Sequence, residues 1–299
     1  MIEEQPLNGF NHKLKYDELD YPNCECGKCF KMFFNLLSVA SRQSGKTWTI
    51  CQYVKHLEKN KLKDKDGVVH PLRTILISPT IEANPIFTSL QSLNENDIHT
   101  DYSDDLLQSI IDDVKQKREE TDAYKEYVEA YKIMEKTPEA DLGKLYDKRP
   151  DVFKLLEKED YKTPNEIEQP TFYEYPVNLC ILDDLMGTAS FSNKKSSKLT
   201  NAIIKNRHLG IVFCILVQSI KSVPKNIRLN CSVFHLGRFA NKKMITEDIY
   251  DEVSNVLKPE QFEEMYDHAT QERYGSLIID CSGKEKRFMR GLDTELFLA

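Results

Sequence analysis

Apolar residues along this chain follow two rhythms, and the alternation between them predicts its architecture. Phe33, Phe34, Leu36, Leu37 and Val39 form a dense run of the kind that a strand shows when both faces of a parallel sheet are covered. Similar runs recur at 73–80 (RTILISPT), 177–185 (VNLCILDDL), 210–218 (GIVFCILVQ), 231–239 (CSVFHLGRF) and 274–282 (YGSLIIDCS), the last predicted strand. Between them the period changes. Ile50, Tyr53, Val54 and Leu57 recur at helical spacing, and helices are expected near 198–208 and 246–268. From about 103 to 160 the chain is helical and heavily charged. One stripe there runs through Leu106, Leu107, Ile110, Ile111 and Val114, another through Tyr124, Tyr127, Val128 and Tyr131, and both read as packing faces. Strands alternating with helices predict an α/β fold with a mostly parallel central sheet flanked by helices. The expected division is an N-terminal extension over 1–32 and one domain over 33–299, with a charged helical insertion at about 100–170.

The first strand runs into Ala40-Ser41-Arg42-Gln43-Ser44-Gly45-Lys46-Thr47, and a helix follows. This is the P-loop pattern, A-x-x-x-x-G-K-T, with alanine where a first glycine is usual. Gly45 lets the backbone approach a phosphate, while consecutive N–H groups and the helix N-terminus attract the anion. Lys46 is expected to reach the β- and γ-phosphates of ATP, and the Thr47 hydroxyl to ligate Mg²⁺. The run LCILDD ends in two carboxylates. Asp183 is expected in the Mg²⁺ shell, on a strand beside the P-loop strand, and Asp184 to polarise the attacking water. Gln218 ends the run ILVQ, where its amide can sense the γ-phosphate or orient that water. Arg207 and Arg228 are candidates for stabilising the developing charge, from within the subunit or from a neighbour, together with Arg42 and Arg238. Ala40–Thr47, Asp183 and Gln218 are expected at the carboxyl ends of the strands.

Charge adds a second theme. The net charge is −7, but it is unevenly spread. Residues 95–170 hold 22 Asp/Glu against 12 Lys/Arg, whereas residues 194–243 hold 11 Lys/Arg and no acid. A basic segment of that length is an electrostatic footprint for a polyanion; the bland alternative is that it balances the acidic segment within the fold. No apolar stretch is long enough to span a bilayer, and the start MIEEQPLNGF does not read as a signal peptide. The eight cysteines are scattered, as in chains whose thiols stay reduced. Three of them, Cys24, Cys26 and Cys29, crowd into CECGKC. Tetrahedral zinc would need a fourth ligand, from His12, Cys51 or a partner, and the spacing departs from the usual C-x₂₋₄-C pairs; free thiols are the plainer reading.

Five segments in order now carry a resemblance. A P-loop strand, ILDDLMG, NRHLGIVFCILVQS, VPKNIRLNCSVFHLGRF and YGSLIIDCSG together resemble the poxvirus-type genome-packaging ATPases of large DNA viruses, members of the FtsK/HerA superfamily. The likeness runs from about residue 33 to 283; Arg207-His208, Gln218, and Arg228 with Asn230 are its specific part. It implies an ATP-driven motor, a homo-oligomeric ring that moves double-stranded DNA into a preformed capsid and meets capsid or portal-vertex proteins. The implied location is the virion or the host-cell cytoplasm. Two features depart from the family. The loop SRQSGKT looks more like that of phage terminases, and the acidic insertion is larger than the compact core needs. A terminase-like motor would have to borrow its nuclease, since about 60 residues follow 239. A nucleotide-gated protein that docks DNA or capsid with little turnover is the other alternative.

Overall fold

In a computed structural model the chain is described over residues 21–83, 85–185, 197–239, 249–250 and 257–297. The chain enters through β1 (Asn23–Cys24) and reaches the P-loop strand β2 (Asn35–Val39), which precedes α1 (Lys46–Lys59). Two short strands follow, β3 (Leu62–Lys63) and β4 (Val69–His70), which with β1 form a small antiparallel sheet in the order β1-β3-β4. Next come β5 (Leu72–Ile77) and β6 (Leu93–His99). Three helices then intervene: α2 (Asp104–Lys136), α3 (Leu142–Lys148) and α4 (Pro150–Glu157). The chain returns to the sheet with β7 (Val177–Asp183), then runs through α5 (Lys198–Ile204) and α6 (Asn206–Leu209) into β8 (Ile211–Val217). After α7 (Lys225–Arg228) and β9 (Val233–Gly237) comes α8 (Pro259–Thr270). The chain finishes with β10 (Ser276–Asp280), β11 (Arg287–Arg290) and β12 (Thr294–Leu296).

Among the described residues the main sheet has nine strands in the order β12-β11-β10-β9-β2-β8-β7-β5-β6. The six from β9 to β6 are parallel, and β10, β11 and β12 continue it antiparallel. The dense apolar runs are explained by cover on both sides. In β8, Ile211, Phe213, Ile215 and Val217 face one core, which includes α5 and α8. Val212, Cys214 and Leu216 face the other, where Ile50, Tyr53, Val54 and Leu57 of α1 pack. Each such side chain is worth roughly 1.5–3 kcal/mol when fully buried, and both faces contribute.

Helix α2 has 33 residues, about 50 Å of helix at 1.5 Å per residue. Ser103 caps it, accepting from the Leu106 N–H at 3.0 Å, with Asp104 and Asp105 in the favourable first turn. Its first stripe, with Leu107 and Ile110 buried, packs on the sheet core. Farther on, Tyr127 and Ala130 join Val152 and Leu156 of α4 in a separate small core. A buried Arg73 on β5 anchors the helix, pairing with Asp97 of β6 at 2.5 Å and with Asp113 of α2 at 2.6 Å.

Three differences from the sequence reading stand out. LNENDIH is strand β6, an edge strand with three exposed polar residues, so it lacks the apolar run that revealed the others. YGSLIIDCS is not the last strand, because β11 and β12 follow it. Finally, β7 is not the neighbour of β2; β8 lies between them.

Candidate nucleotide site

The parallel register places every strand end that matters along one edge. Val39 pairs with Val217, Asp183 with Leu216, and Val39 with Leu236 on the other side. At that edge the Ala40 N–H donates to the Val217 carbonyl at 3.2 Å, which fixes where the loop leaves the sheet. Gln43 and Gly45 then take positive φ, 58° and 86°, turning the loop back on itself. The Ser44 hydroxyl bonds the Ser41 carbonyl at 2.6 Å inside the loop, and Ser41 Oγ donates to the Arg238 carbonyl at 3.1 Å. Helix α1 starts directly at Lys46 with no side-chain cap, so its first N–H groups stay open to an anion.

A cleft of about 890 Å³ opens over this edge. It is lined by the loop residues Ser41 to Thr47 and by Asp183, Asp184 and Gln218. Asp183 is 2% exposed and Lys46 is 9% exposed, so both charged groups lie in largely water-excluded surroundings. Burial pushes the Asp183 carboxyl up to about 6, and the Asp184 charge adds to this, while Lys46 and a hydrogen bond from Thr47 oppose it. Burial likewise lowers the Lys46 ammonium below its ordinary value, against the pull of Asp183 and Asp184. Asp184 has φ of 54°, and its Oδ1 accepts from Gln218 Nε2 at 2.8 Å. The left-handed turn separates the two carboxylates: Asp183 stays inside against Thr47, and Asp184 swings to the end of β8.

This arrangement depends on the strand order. With β8 between β2 and β7, the carboxylates start about 10 Å from the P-loop strand, two strand spacings away. The intervening strand end carries Gln218, which bonds Asp184 across the gap.

No family model matches the chain, and no curated protein matches it. Solved structures do. The genome packaging NTPase B204 from Sulfolobus turreted icosahedral virus 2, in complex with AMP, is 13% identical, with 85% of this chain and 96% of that chain covered and a TM-score of 0.47. The same protein in complex with ATP-gammaS gives a TM-score of 0.44 at 12% identity, over 85% of this chain and 96% of that chain. The N-terminal domain of zonular occludens toxin from Neisseria meningitidis is 15% identical, with 72% and 80% of the two chains covered and a TM-score of 0.30. Neither protein assigns this chain a substrate or a partner.

Two of the sequence-predicted residues are not brought to the cleft. Arg207 is exposed on α6, immediately before β8, and Arg228 ends α7, just before β9. Both lie at the amino ends of their strands, a strand length away from the loop. Asn35, the first residue of β2, marks that edge: its side-chain amide bonds the Ile203 and Asn230 carbonyls at 3.0 and 2.9 Å. Arg42 lines the cleft, and Arg238 follows β9, its backbone carbonyl bonded to Ser41 of the loop.

Arg273 and Tyr274 line the cleft and were not singled out from the sequence. They precede β10, which is antiparallel to β9, so its beginning falls at the carboxyl ends of the parallel strands. A Cβ on Gly45 would stand 3.3 Å from Tyr274 Cβ; glycine there serves the loop turn and the approach of Tyr274 together.

Proposed function

We propose that the chain is a Mg²⁺-dependent ATPase whose turnover moves double-stranded DNA, the packaging motor that its motif order resembles. The observation that supports this most is one cleft joining the phosphate-binding loop, a buried carboxylate beside Thr47 and a second carboxylate held by Gln218. A loop without the carboxylates would only bind nucleotide.

Ser41 to Thr47 would cradle the phosphates, with Lys46 against the β- and γ-oxygens. Thr47 and Asp183 fit Mg²⁺ through their chemistry: a hydroxyl and a buried carboxylate that face the same cleft. When bound, the ion neutralises charge on the phosphate oxygens. Asp184, outside that pair, would take the proton of the attacking water, and Gln218 would keep its carboxylate oriented. Among the described residues, Arg42, Arg238 and Arg273 are the arginines that one chain would supply near the cleft; Arg207 and Arg228 would serve a nucleotide only from a neighbouring subunit, which fits a ring.

The DNA part of the reading rests on the basic segment. Lys205, Arg207 and Lys225 are exposed near the amino edge of the sheet, opposite the nucleotide. Capsid or portal-vertex proteins are the further partners this reading implies. Among the described residues no helix is long and apolar enough to cross a membrane. ATP hydrolysis measured with and without long double-stranded DNA tests the proposal, with Lys46→Ala as the baseline. DNA should raise turnover severalfold. Turnover indifferent to DNA would leave an ATPase and remove the motor, and turnover no higher than that of Lys46→Ala would sink the enzyme reading as well.

A further inference from the structure

A sulfur cluster far from the strand edge that holds the nucleotide takes no part in hydrolysis. Cys24 ends β1, Cys26 and Cys29 lie in the turn after it, and His56 is on the last turn of α1. The three Sγ atoms and a ring nitrogen of His56 all lie within 4.8 Å of one another. Cys26 Sγ is 3.0 Å from Cys24 Sγ, 3.6 Å from Cys29 Sγ and 3.3 Å from His56 Nε2. Tetrahedral zinc with ordinary bond lengths has S···S edges of about 3.8 Å and S···N edges of about 3.5 Å. The three edges that meet at Cys26 are therefore about 0.2 to 0.8 Å shorter than those of a zinc tetrahedron, and the other three are no longer than 4.8 Å. A disulfide is a different geometry, with sulfurs about 2.05 Å apart, and all three cysteines are free.

The surrounding backbone is arranged to hold such a site. Gly27 takes φ of 67° and its N–H bonds the Cys24 carbonyl at 3.1 Å, closing the turn. The Lys28 N–H points at Cys26 Sγ at 3.4 Å, which favours a thiolate. Pairing of β1 with β3 and the Glu25–Lys63 ion pair at 2.8 Å hold the turn over the end of α1. On the other flank Arg287, itself bonded to Asp280, donates to the Lys28 and Cys29 carbonyls.

We propose that Cys24, Cys26, Cys29 and His56 bind one Zn²⁺. Three soft thiolates and an imidazole select zinc over magnesium or calcium, which take oxygen ligands, and an iron–sulfur cluster is most often held by four cysteines. Four protein ligands close the coordination sphere, so the ion is structural. It ties the amino-terminal turn to the C-terminal end of α1, whose other end carries Lys46 and Thr47. The sequence reading lacked the fourth ligand because His56 is 27 residues beyond Cys29 and reaches the cluster only through the fold; Cys51 is buried in the core instead, and His12 lies outside the described residues.

Metal content of the full chain, purified under reducing conditions without nucleotide, tests this independently of the ATPase reading. One zinc per chain is expected, and replacement by Co²⁺ should give the visible bands of a tetrahedral thiolate site. Cys26→Ser should lose the metal. Because that variant can fail to fold, His56→Ala is the second test: its ring is exposed, so the fold should survive while metal passes to a chelator at least tenfold faster, and His56→Cys should restore retention. Wild-type protein that takes up no zinc after reconstitution would overturn the proposal. So would a His56→Ala variant that holds metal as the wild type does, or a disulfide among the three cysteines of freshly isolated protein.

Discussion

Asp183 and Asp184 are adjacent in sequence but face opposite demands, and the difference lies in one backbone angle. Positive φ at Asp184 turns it to Gln218, while Asp183 remains buried beside Thr47. Asp184→Asn should therefore keep nucleotide affinity within a few-fold and lower kcat by at least about 10², read from a binding titration and steady-state kinetics on the same preparation. Loss of nucleotide binding would show that the two carboxylates have been given the wrong parts. His235 offers a pH test. It is buried on β9, bonded through Nδ1 to Ser38 Oγ at 2.7 Å, and burial, with Lys46 adding to it, pushes its pKa down to about 4. Above the unfolded value of about 6.5 neither state binds the proton, and its contribution to stability is whole. As pH falls from about 6.5 to 4 the unfolded chain takes up the proton first, and stability should drop by up to about 3 kcal/mol. Urea midpoints at neutral pH and near pH 4.5 would show it. His235→Gln should flatten that part of the slope, and an equal slope in the variant would place the acid sensitivity elsewhere.

At the scale of elements, the P-loop and the end of β9 share one small space. A Cβ on Gly237 would stand 2.5 Å from the Cβ of Ala40. Ala40 occupies the position where the P-loop pattern usually has glycine, and the room it needs is left by Gly237 on the paired strand. Gly237→Ala should cost about 1–3 kcal/mol and weaken nucleotide binding by displacing the loop. Adding Ala40→Gly should recover much of both losses, a non-additivity measurable as a double-mutant cycle. A second element-level test concerns α2. Replacing the buried Arg73 by Met strands the buried Asp97 without its cation and leaves Asp113 only Lys117, and thermal unfolding should report a loss of about 3–5 kcal/mol. A variant as stable as the parent would mean that α2 is held by its apolar stripe alone.

For the whole molecule the question is which surface the uneven charge serves. Lys198 lies 3.4 Å from Asp105 at the start of α2, so part of the basic segment does balance the acidic insertion. Lys194 and Lys195 fall outside the described residues. Lys205, Arg207 and Lys225 are exposed and are the better test of DNA contact. Substituting all three by Gln should weaken DNA binding alike for every sequence. The slope of log affinity against log salt should become shallower by up to about 3, roughly one unit per lost phosphate contact. An unchanged slope would assign these side chains to the surface of a protein whose DNA, if any, lies elsewhere.

The residues themselves determined a good deal. Apolar runs marked the covered strands because burial on both faces leaves no polar alternation, and the loop 40–47 was legible as a turn leading into a helix because the spacing of its glycine, lysine and threonine is set by one turn and one helix start. These are local matters, settled within a few residues. Strand order is not local. Only the sheet inserted β8 between β2 and β7 and so brought Gln218 to Asp184. Strand direction is not local either: the antiparallel β10 carries Arg273 and Tyr274 into the cleft, whereas Arg207 and Arg228, placed before parallel strands, end at the far edge. The polar edge strand β6 and the meeting of His56 with three cysteines were hidden for the same reason. Their partners lie on other elements, and a pattern along the chain records what a residue packs against only when that partner is near in sequence or when burial repeats with a fixed period.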